Sequence, residues 1–369
     1  MRRIRVLVVD DSAVVRKLLT DAVTSSPDFE LAGSAGNGQA ALERLDAAAP
    51  DVVTLDVEMP VLDGIATLKQ LRLRRPRLPV LMLSSHTERG ALATLDALAA
   101  GASDFVTKPV LSGLAEAQAF MEREVLGRLR GLAGRPASPG VAAPSRLPPT
   151  ASPPVAAARP RAPGMPPRRL EAIVIGISTG GPPALAQLIP ALPASLPVPI
   201  LVVQHMPPLF TRVLADRLSS LGPLKVTEAT DGAPALAGHV HLAPGGRHLV
   251  VERGLAGPVL RLNDGPPESS CRPAADPLFR SAAELWGDAL LAVVMTGMGS
   301  DGRAGAERIR ARGGSIIVQD KESSVVWGMP GAVADAGLAD AILPLAALAG
   351  EITARLGIGR AMFHAERRP

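Results

Sequence analysis

The hydrophobic residues of the first 128 positions form short apolar runs separated by amphipathic segments. These runs predict buried strands at residues 4–9, 31–35, 52–55, 80–83 and 104–106. Apolar residues at helical spacing predict helices between and after them, at residues 14–22, 38–49, 64–73, 91–100 and 114–129. Strands that alternate with helices in this way predict a doubly wound parallel α/β sheet.

The same alternation returns after residue 170. The predicted strands are residues 172–177, 199–203, 225–228, 239–243, 248–252, 289–295 and 315–318. The predicted helices are residues 184–192, 211–218, 279–285, 304–312 and 332–336. We therefore expect a second doubly wound α/β domain in this half of the chain.

A stretch of different composition separates the two halves. Residues 131–170 contain prolines throughout and six arginines, but no acidic or aromatic residue. Such a segment cannot bury enough apolar surface to fold, which predicts a flexible linker. The expected organisation is a first domain at 1–128, a linker at 129–170, a second domain at 171–360 and a charged tail at 361–369.

Composition excludes several classes of protein. No apolar run approaches the roughly 20 residues that cross a bilayer, so we expect no membrane insertion. The basic, apolar start resembles a signal peptide only as far as Asp10 and Asp11, so we expect a cytoplasmic protein. Aromatic residues are only 2% of the chain, which disfavours nucleic-acid binding by base stacking. The single cysteine, Cys271, excludes an intramolecular disulfide.

Five polar side chains stand at the carboxyl ends of strands in the first domain: Asp10, Asp11, Asp56, Ser84 and Lys108. Ligands of doubly wound sheets bind at that edge. Converging carboxylates repel each other, and a divalent cation such as Mg²⁺ relieves the repulsion. Asp56 then becomes a candidate phosphoryl acceptor, with Ser84 and Lys108 as ligands of the phosphoryl oxygens. The alternative is a set of five solvated loop residues.

Residues 4–125 resemble a response-regulator receiver domain, which has a flavodoxin-like fold. Asp56 matches the phosphorylated aspartate of that family, Asp10 and Asp11 its acidic pair, Ser84 its hydroxyl position and Lys108 its lysine before a proline. The resemblance implies Mg²⁺ held by Asp11, Asp56 and the backbone carbonyl of Glu58. It also implies that Phe105 is the aromatic switch residue and that a histidine kinase donates the phosphoryl group.

The second domain opens on a strand followed by a glycine-rich turn. Gly176-Ile177-Ser178-Thr179-Gly180 fits the G-x-S-x-G pattern, in which small neighbours expose a serine on a sharp turn between a strand and a helix. Two other interpretations stay open. Glycine-rich turns of this kind also bind phosphate groups, and Ser178 is also suited to cap the following helix.

Two further strand ends carry partners for a nucleophilic serine. His205 follows one buried strand and Asp301 follows another, which makes a Ser–His–Asp triad with Ser178 the favoured hypothesis. The order of the three differs from that of ordinary α/β-hydrolases. His239 and His241, two residues apart on one strand, are a weaker candidate for a metal site because no third ligand is evident.

Together the two halves resemble the chemotaxis protein-glutamate methylesterase family. Three turns carry the resemblance: Gly176–Gly181, Gln204–Pro207 and Met295–Gly302, with Gly328–Pro330 as a further motif. It implies hydrolysis of glutamate γ-methyl esters and deamidation of glutamines on chemoreceptors. Ser178, His205 and Asp301 would be catalytic, and the backbone N–H of Met298 would bind the oxyanion. It also implies that a chemotaxis histidine kinase phosphorylates Asp56 and that ester hydrolysis needs no cofactor.

The chain departs from this family at residues 271–276, where the family usually has a histidine-containing run and Pro-Ser-Val-Asp. The departure concerns the substrate groove rather than the three catalytic turns. An alternative from another class is a receiver joined to a non-catalytic binding module. Labelling with a serine-reactive phosphonate separates the two, because only an activated serine reacts.

The linker composition predicts the outcome of limited proteolysis. Trypsin should cut first at the arginines within 129–170 and release two stable fragments, because an unfolded segment is cleaved before folded domains. The fragments are identified by mass spectrometry. First cuts inside 4–125 or 172–350 would contradict the proposed boundaries.

Overall fold

Two parallel sheets organise the chain in the computed structural model, which describes residues 2–108, 113–134 and 169–357. The chain divides into two compact units, Met1–Pro149 and Thr150–Pro369. Most of the proposed linker and all of the proposed tail lie outside the described residues. The domain boundaries therefore remain predictions.

The first unit contains a five-stranded sheet in the order β2-β1-β3-β4-β5, with every neighbouring pair parallel. The strands are β1 (Ile4–Val9), β2 (Phe29–Ala35), β3 (Val52–Asp56), β4 (Val80–Ser84) and β5 (Asp104–Thr107). This order is that of flavodoxin-like folds. The expected fold class of the first domain is confirmed.

The helices of the first unit are α1 (Ala13–Ser25), α2 (Gly38–Ala48), α3 (Gly64–Arg74), α4 (Glu88–Ala99), α5 (Leu114–Phe120) and α6 (Gly127–Leu132). The first four begin at side-chain caps, in which Ser12, Asn37, Asp63 and Thr87 each accept a backbone N–H. Each cap contributes about 1 kcal/mol. A π-helical segment, Met121–Leu126, joins α5 to α6, so the predicted helix 114–129 is three segments.

The second unit contains a parallel seven-stranded sheet in the order β14-β13-β12-β6-β7-β9-β8. Its strands are β6 (Ala172–Ile177), β7 (Ile200–Gln204), β8 (Lys225–Glu228), β9 (His239–Leu242), β12 (Leu290–Val294), β13 (Ser315–Gln319) and β14 (Ala341–Leu343). A separate antiparallel hairpin contains β10 (His248–Gly254) and β11 (Gly257–Asn263). The α/β class of the second domain is confirmed.

The helices of the second unit are α7 (Gly181–Leu188), α8 (Phe210–Leu221), α9 (Ala275–Trp286), α10 (Arg303–Ala311), α11 (Met329–Asp335) and α12 (Leu345–Arg355). Helix α9 begins four residues before the predicted start at 279 and holds Pro277 in its first turn, where proline is tolerated. β11, β14 and α12 were not predicted. β11 carries Pro258 near its start, and β14 is a three-residue edge strand without a fully buried residue.

The sheet of the second unit changes direction at β6. Its neighbour on one side is β7, the next strand in the chain, and on the other side is the distant β12. Doubly wound sheets bind ligands at the carboxyl edge of such a switch point. The turns after β6, β7 and β12 carry Ser178, His205 and Asp301, so the topology places these three side chains at one edge.

None of the helices in the described ranges is both long and apolar enough to cross a lipid bilayer.

Candidate phosphoacceptor and active sites

The carboxyl edge of the first sheet gathers three acidic side chains. Carboxylate oxygens of Asp10, Asp11 and Asp56 lie within 4.8 Å of one another. Asp10 and Asp56 are almost fully buried, whereas Asp11 is exposed. Lys108 Nζ lies 2.6 Å from Asp56 Oδ2 and 3.0 Å from Asp10 Oδ2. The sequence predicted this group, and the structure brings it together.

The electrostatics of this cluster favour an added cation. Burial, together with the charge of Asp10, raises the pKa of Asp56 to about 6 against the opposing effect of Lys108. Burial also raises the pKa of Asp10. One lysine therefore does not compensate three carboxylates. Hard oxygen donors around uncompensated negative charge are the ligands that Mg²⁺ prefers, so the donor set fits this ion.

The remaining predicted residues of the first site surround Asp56. The N–H of Glu58 points to Asp56 Oδ1 at 3.4 Å, and the Glu58 side chain is exposed. Ser84 is fully buried, and its hydroxyl accepts a 2.6 Å hydrogen bond from Thr94 and donates to the carbonyl of Gly90. Phe105 is buried on β5. Ser84 is thus bonded to α4 in this structure.

Ser178 lies just after β6, where the chain turns into α7. Its N–H donates to the carbonyl of Thr296 at 2.9 Å, which joins the turn after β6 to the turn after β12. Gly297 packs against it so closely that a Cβ there would lie 2.8 Å from Ser178 Cβ. A side chain at 297 would displace the serine, and this explains the glycine at that position.

Two further side chains, which were not among the predicted site residues, join the turns after β6, β7 and β12 by hydrogen bonds. Gln204 is buried, and its Nε2 donates to the carbonyl of Ser178 at 2.9 Å and to that of His205 at 3.3 Å. Thr296 Oγ1 donates to the carbonyl of Thr179 at 2.9 Å. Both residues flank the predicted ones in the sequence, but only the folded backbone shows what they bind.

His205 and Asp301 form a short contact across the sheet edge. His205 Nε2 lies 2.6 Å from Asp301 Oδ2, and the side chains are 9% and 1% exposed, respectively. The His205 N–H donates to the carbonyl of Ile177, directly before Ser178. Within the described part of the chain, Ser178 Oγ makes no hydrogen bond to His205. The structure thus pairs the histidine with the aspartate and holds the serine turn beside them.

Asp301 accepts three backbone hydrogen bonds in addition to that contact. Its Oδ2 accepts the N–H of Ala275 at 2.6 Å, and its Oδ1 accepts those of Asp276 at 3.0 Å and Gly302 at 2.9 Å. Burial alone would raise the pKa of Asp301, but His205 and the backbone N–H groups outweigh burial and lower it. The side chain is therefore a carboxylate.

The charge of Asp301 acts in turn on the imidazole. Burial alone would lower the pKa of His205, but the hydrogen bond with Asp301 and the charge of that carboxylate raise it above the usual value. Cys271 belongs to the run at 271–276 that departs from the family pattern. It is partly buried and free.

The predicted oxyanion donor lies next to Gly297. The backbone N–H of Met298 has no hydrogen-bond acceptor among the described residues, and the residue is partly buried. The backbone around it is fixed, because the carbonyl of Gly297 accepts the N–H groups of Gly328 and Met329. The motif at 328–330 therefore supports the turn that carries Met298.

His241 and His248 have structural contacts. His241 Nε2 accepts the N–H of Leu236 at 3.2 Å, and burial lowers the pKa of His241 to about 4. No third ligand joins His239 and His241 in the described ranges, where the acidic triplet of the first unit is the one cluster with metal-binding geometry. His248, the first residue of β10, is 2% exposed.

Comparisons with known proteins show which family the chain belongs to. A family model described as CheB methylesterase matches residues 173–352, and one described as response regulator receiver domain matches residues 6–117. A protein-glutamate methylesterase/protein-glutamine glutaminase of a Nocardioides species is 50% identical over 96% of this chain and 96% of its own length. The chain belongs to the CheB methylesterase family. A protein of Trichodesmium erythraeum with the same description is 45% identical over 97% of this chain and all of its own length.

A solved structure of the Thermotoga maritima CheB methylesterase catalytic domain is also similar. It is 41% identical and covers 51% of this chain and 98% of its own, with a TM-score of 0.49. The ranges matched by the two family models, 6–117 and 173–352, leave the proline-rich segment outside.

Proposed function

We propose that this protein is a phosphorylation-regulated hydrolase that demethylates glutamate γ-methyl esters and deamidates glutamines on chemoreceptors. The observation that carries the proposal is the buried His205–Asp301 pair at 2.6 Å, beside a serine turn at the switch point of the second sheet. The names of the relatives, which cover nearly the whole chain, supply the substrate class.

In the proposed reaction, Ser178 Oγ attacks the ester carbonyl while His205 removes the hydroxyl proton. Nε2 of the imidazole contacts Asp301, so Nδ1 is the nitrogen left for this proton. Asp301 holds the ring and stabilises the imidazolium that forms. His205 then returns the proton to the departing methoxide, and methanol leaves. Water hydrolyses the acyl-enzyme by the same proton route and restores the serine.

The tetrahedral intermediate carries a negative oxygen that needs donors. We assign the Met298 N–H to this role, since it has no protein acceptor in the described ranges and lies beside the Gly297 that packs on Ser178. Loss of one such donor typically costs about 10²–10³-fold in rate. Glutamine deamidation follows the same route, with ammonia as the leaving group and the same acyl-enzyme.

The receiver domain supplies regulation. Asp56 is the proposed phosphoryl acceptor, a chemotaxis histidine kinase the phosphodonor, and Ser84 and Lys108 the ligands of the phosphoryl oxygens. Asp11, Asp56 and the Glu58 carbonyl would hold Mg²⁺, which when bound neutralises charge during phosphoryl transfer. Asp10 completes the acidic pair and accepts the Ser12 N–H at 2.9 Å. Phe105, buried on β5, is the proposed switch residue.

A non-catalytic binding module is the weaker alternative. A glycine turn that only bound a ligand would not require a buried carboxylate with four hydrogen-bond donors, one of them an imidazole. This arrangement is costly to bury and is typical of sites where a histidine must change charge.

Replacement of the serine tests the proposal. Ser178→Ala should reduce methanol release from methylated chemoreceptor membranes by several orders of magnitude, because the nucleophile is lost. Ser220→Ala is the control, since its hydroxyl donates to the Arg217 carbonyl within α8. Near-normal methanol release by Ser178→Ala would falsify the assignment.

The raised pKa of His205 predicts the pH dependence. The base must be neutral to accept the serine proton, so activity is lost as pH falls through the His205 pKa. That pKa lies above its ordinary value of 6.5, so the acid limb of kcat/KM should have its midpoint above 6.5. Initial rates between pH 5 and about 10 measure it. A midpoint well below 6.5 is the contradicting result.

Regulation is tested on the first unit. Addition of a small-molecule phosphodonor with Mg²⁺ should raise the esterase rate about 5–150-fold in the parent, the range of typical allosteric couplings. Asp56→Asn should abolish this increase, whereas Asp46→Asn, which changes an exposed carboxylate paired with Arg75, should retain it. Equal activation of Asp56→Asn and parent would refute the acceptor assignment.

A further inference from the structure

The start of α9 lies against the hydrolytic site and lacks a cap of its own. Ala274, at the N-cap position, has no side-chain oxygen to accept a helix N–H. The N–H groups of residues 274, 275 and 276 are instead accepted by side chains from elsewhere. His248 Nδ1 accepts the first at 3.2 Å, and the Asp301 carboxylate accepts the other two at 2.6 and 3.0 Å.

His248 is itself fixed in one tautomer by this arrangement. Because Nδ1 accepts an N–H, the proton is on Nε2, which donates to the Pro266 carbonyl at 3.0 Å. The imidazole therefore joins the loop before α9 to strand β10. His248 and Asp301 together fix the position of the α9 N-terminus, and with it the two N–H groups that bind Asp301.

Helix α10, which follows Asp301 directly, is capped in return. Its N-cap residue, Gly302, has no side chain, and the N–H of Gly305 in its first turn donates to Asp276 Oδ1 at 2.6 Å. Asp276 belongs to the first turn of α9. The two helices thus exchange acidic caps: Asp301 accepts N–H groups of α9, and Asp276 accepts one of α10.

The close approach of the two helices makes this exchange possible. A Cβ at Gly305 would lie 2.4 Å from Phe279 Cβ and 3.2 Å from Asp276 Oδ1, so a side chain there would push α10 away from α9. Glycine at 305 allows the backbone to reach the Asp276 carboxylate. Asp276 itself is 6% exposed, so it is remote from bulk solvent.

The charge of Asp276 also acts on the site. Burial, together with the charges of Asp301 and Glu268, raises the pKa of Asp276 to about 6 against the opposing effects of the Gly305 N–H and Arg280. Glu268 and Arg280 are paired at 2.6 Å. Asp276 is therefore mostly ionised at neutral pH and adds a second negative charge near Asp301.

We propose that Asp276 is a positioning residue of the hydrolytic site that acts through Asp301. Its N–H holds Asp301 Oδ1, and its carboxylate fixes the first turn of α10 just after Asp301. Together these bonds keep Asp301 Oδ2 on His205. The inference rests on the proposed function, because that function assigns His205 as the base.

Removal of the Asp276 carboxylate should slow the chemical step and leave substrate binding unchanged. Asp276 is 6% exposed and its carboxylate accepts the Gly305 N–H, so we expect it to make no contact with the substrate. Small displacements of catalytic groups cost as much as about 10²-fold in rate. The effect should therefore appear in kcat rather than in KM.

Three variants of the full-length protein test this inference. Asp276→Ala removes both the acceptor for the Gly305 N–H and the charge, whereas Asp276→Asn retains an acceptor oxygen and removes only the charge. Glu284→Ala is the matched control: Glu284, also on α9, pairs with Arg308 and Arg312 at the far ends of the same two helices. It breaks contacts between α9 and α10 away from the site.

Two readouts are measured as functions of pH: methanol release from methylated receptor membranes, and the rate at which a serine-reactive phosphonate labels Ser178. Asp276→Ala should lower kcat and the maximal labelling rate about 10–100-fold with KM unchanged. Asp276→Asn should stay within about threefold of the parent at its optimum, since the hydrogen bond is kept. Glu284→Ala should match the parent in both rates.

The charge effect supplies a signature that a purely structural residue would not give. Loss of a negative charge near the His205–Asp301 pair makes the imidazolium less stable and lowers the His205 pKa. The acid limb of Asp276→Asn should therefore move to lower pH, by on the order of one unit. Asn retains the acceptor, so this variant should fold even if the Ala variant does not.

Two results would overturn the inference. One is an Asp276→Ala variant with parental rates and an unmoved acid limb. The other is an equal loss in Asp276→Asn and Asp276→Ala with the limb unmoved, which would leave Asp276 a packing role alone. Failure of the proposed function is distinguishable: the parent would label normally but release no methanol, and the labelling rates would still decide the role of Asp276.

Discussion

The buried carboxylate of Asp301 is the interaction on which the second unit depends. It is 1% exposed and carries a full charge, and an unpaired charge at such a position costs several kcal/mol. Three backbone N–H groups and the His205 imidazole satisfy it. Since these donors come from the starts of α9 and α10 and from the turn after β7, one side chain fixes three elements at the sheet edge.

Both units use the same property of parallel sheets. Strands that all run in one direction bring their carboxyl ends to a common edge, where turns from distant parts of the chain meet. In the first unit this edge gathers Asp10, Asp56 and Lys108, and in the second it gathers Ser178, His205 and Asp301. The buried strands fix the position of each group of side chains, while the turns after the strands supply the polar residues.

The two sites manage buried charge in opposite ways. Around Asp56, burial and the charge of Asp10 raise the pKa of Asp56 to about 6 although Lys108 lowers it, and the three carboxylates have the geometry of a cation site. Around Asp301 it supplies enough donors to keep the carboxylate ionised without a metal ion. The arrangement around Asp56 suits a site that accepts a negatively charged phosphoryl group. The arrangement around Asp301 suits a site where a histidine accepts and returns a proton.

The sequence by itself determined both α/β folds, most strand positions and the residue types at the two sites, because apolar runs and glycine turns are local signals. It did not indicate the antiparallel hairpin, the edge strand β14 or the true start of α9, since Pro258 and Pro277 obscured the pattern. Only the tertiary structure decided what Gln204, His248 and Asp276 bind around these turns. These side chains bind backbone groups that are distant in sequence, such as the N–H of Gly305, which donates to Asp276. Hydrogen bonds between distant residues leave no local pattern in the sequence.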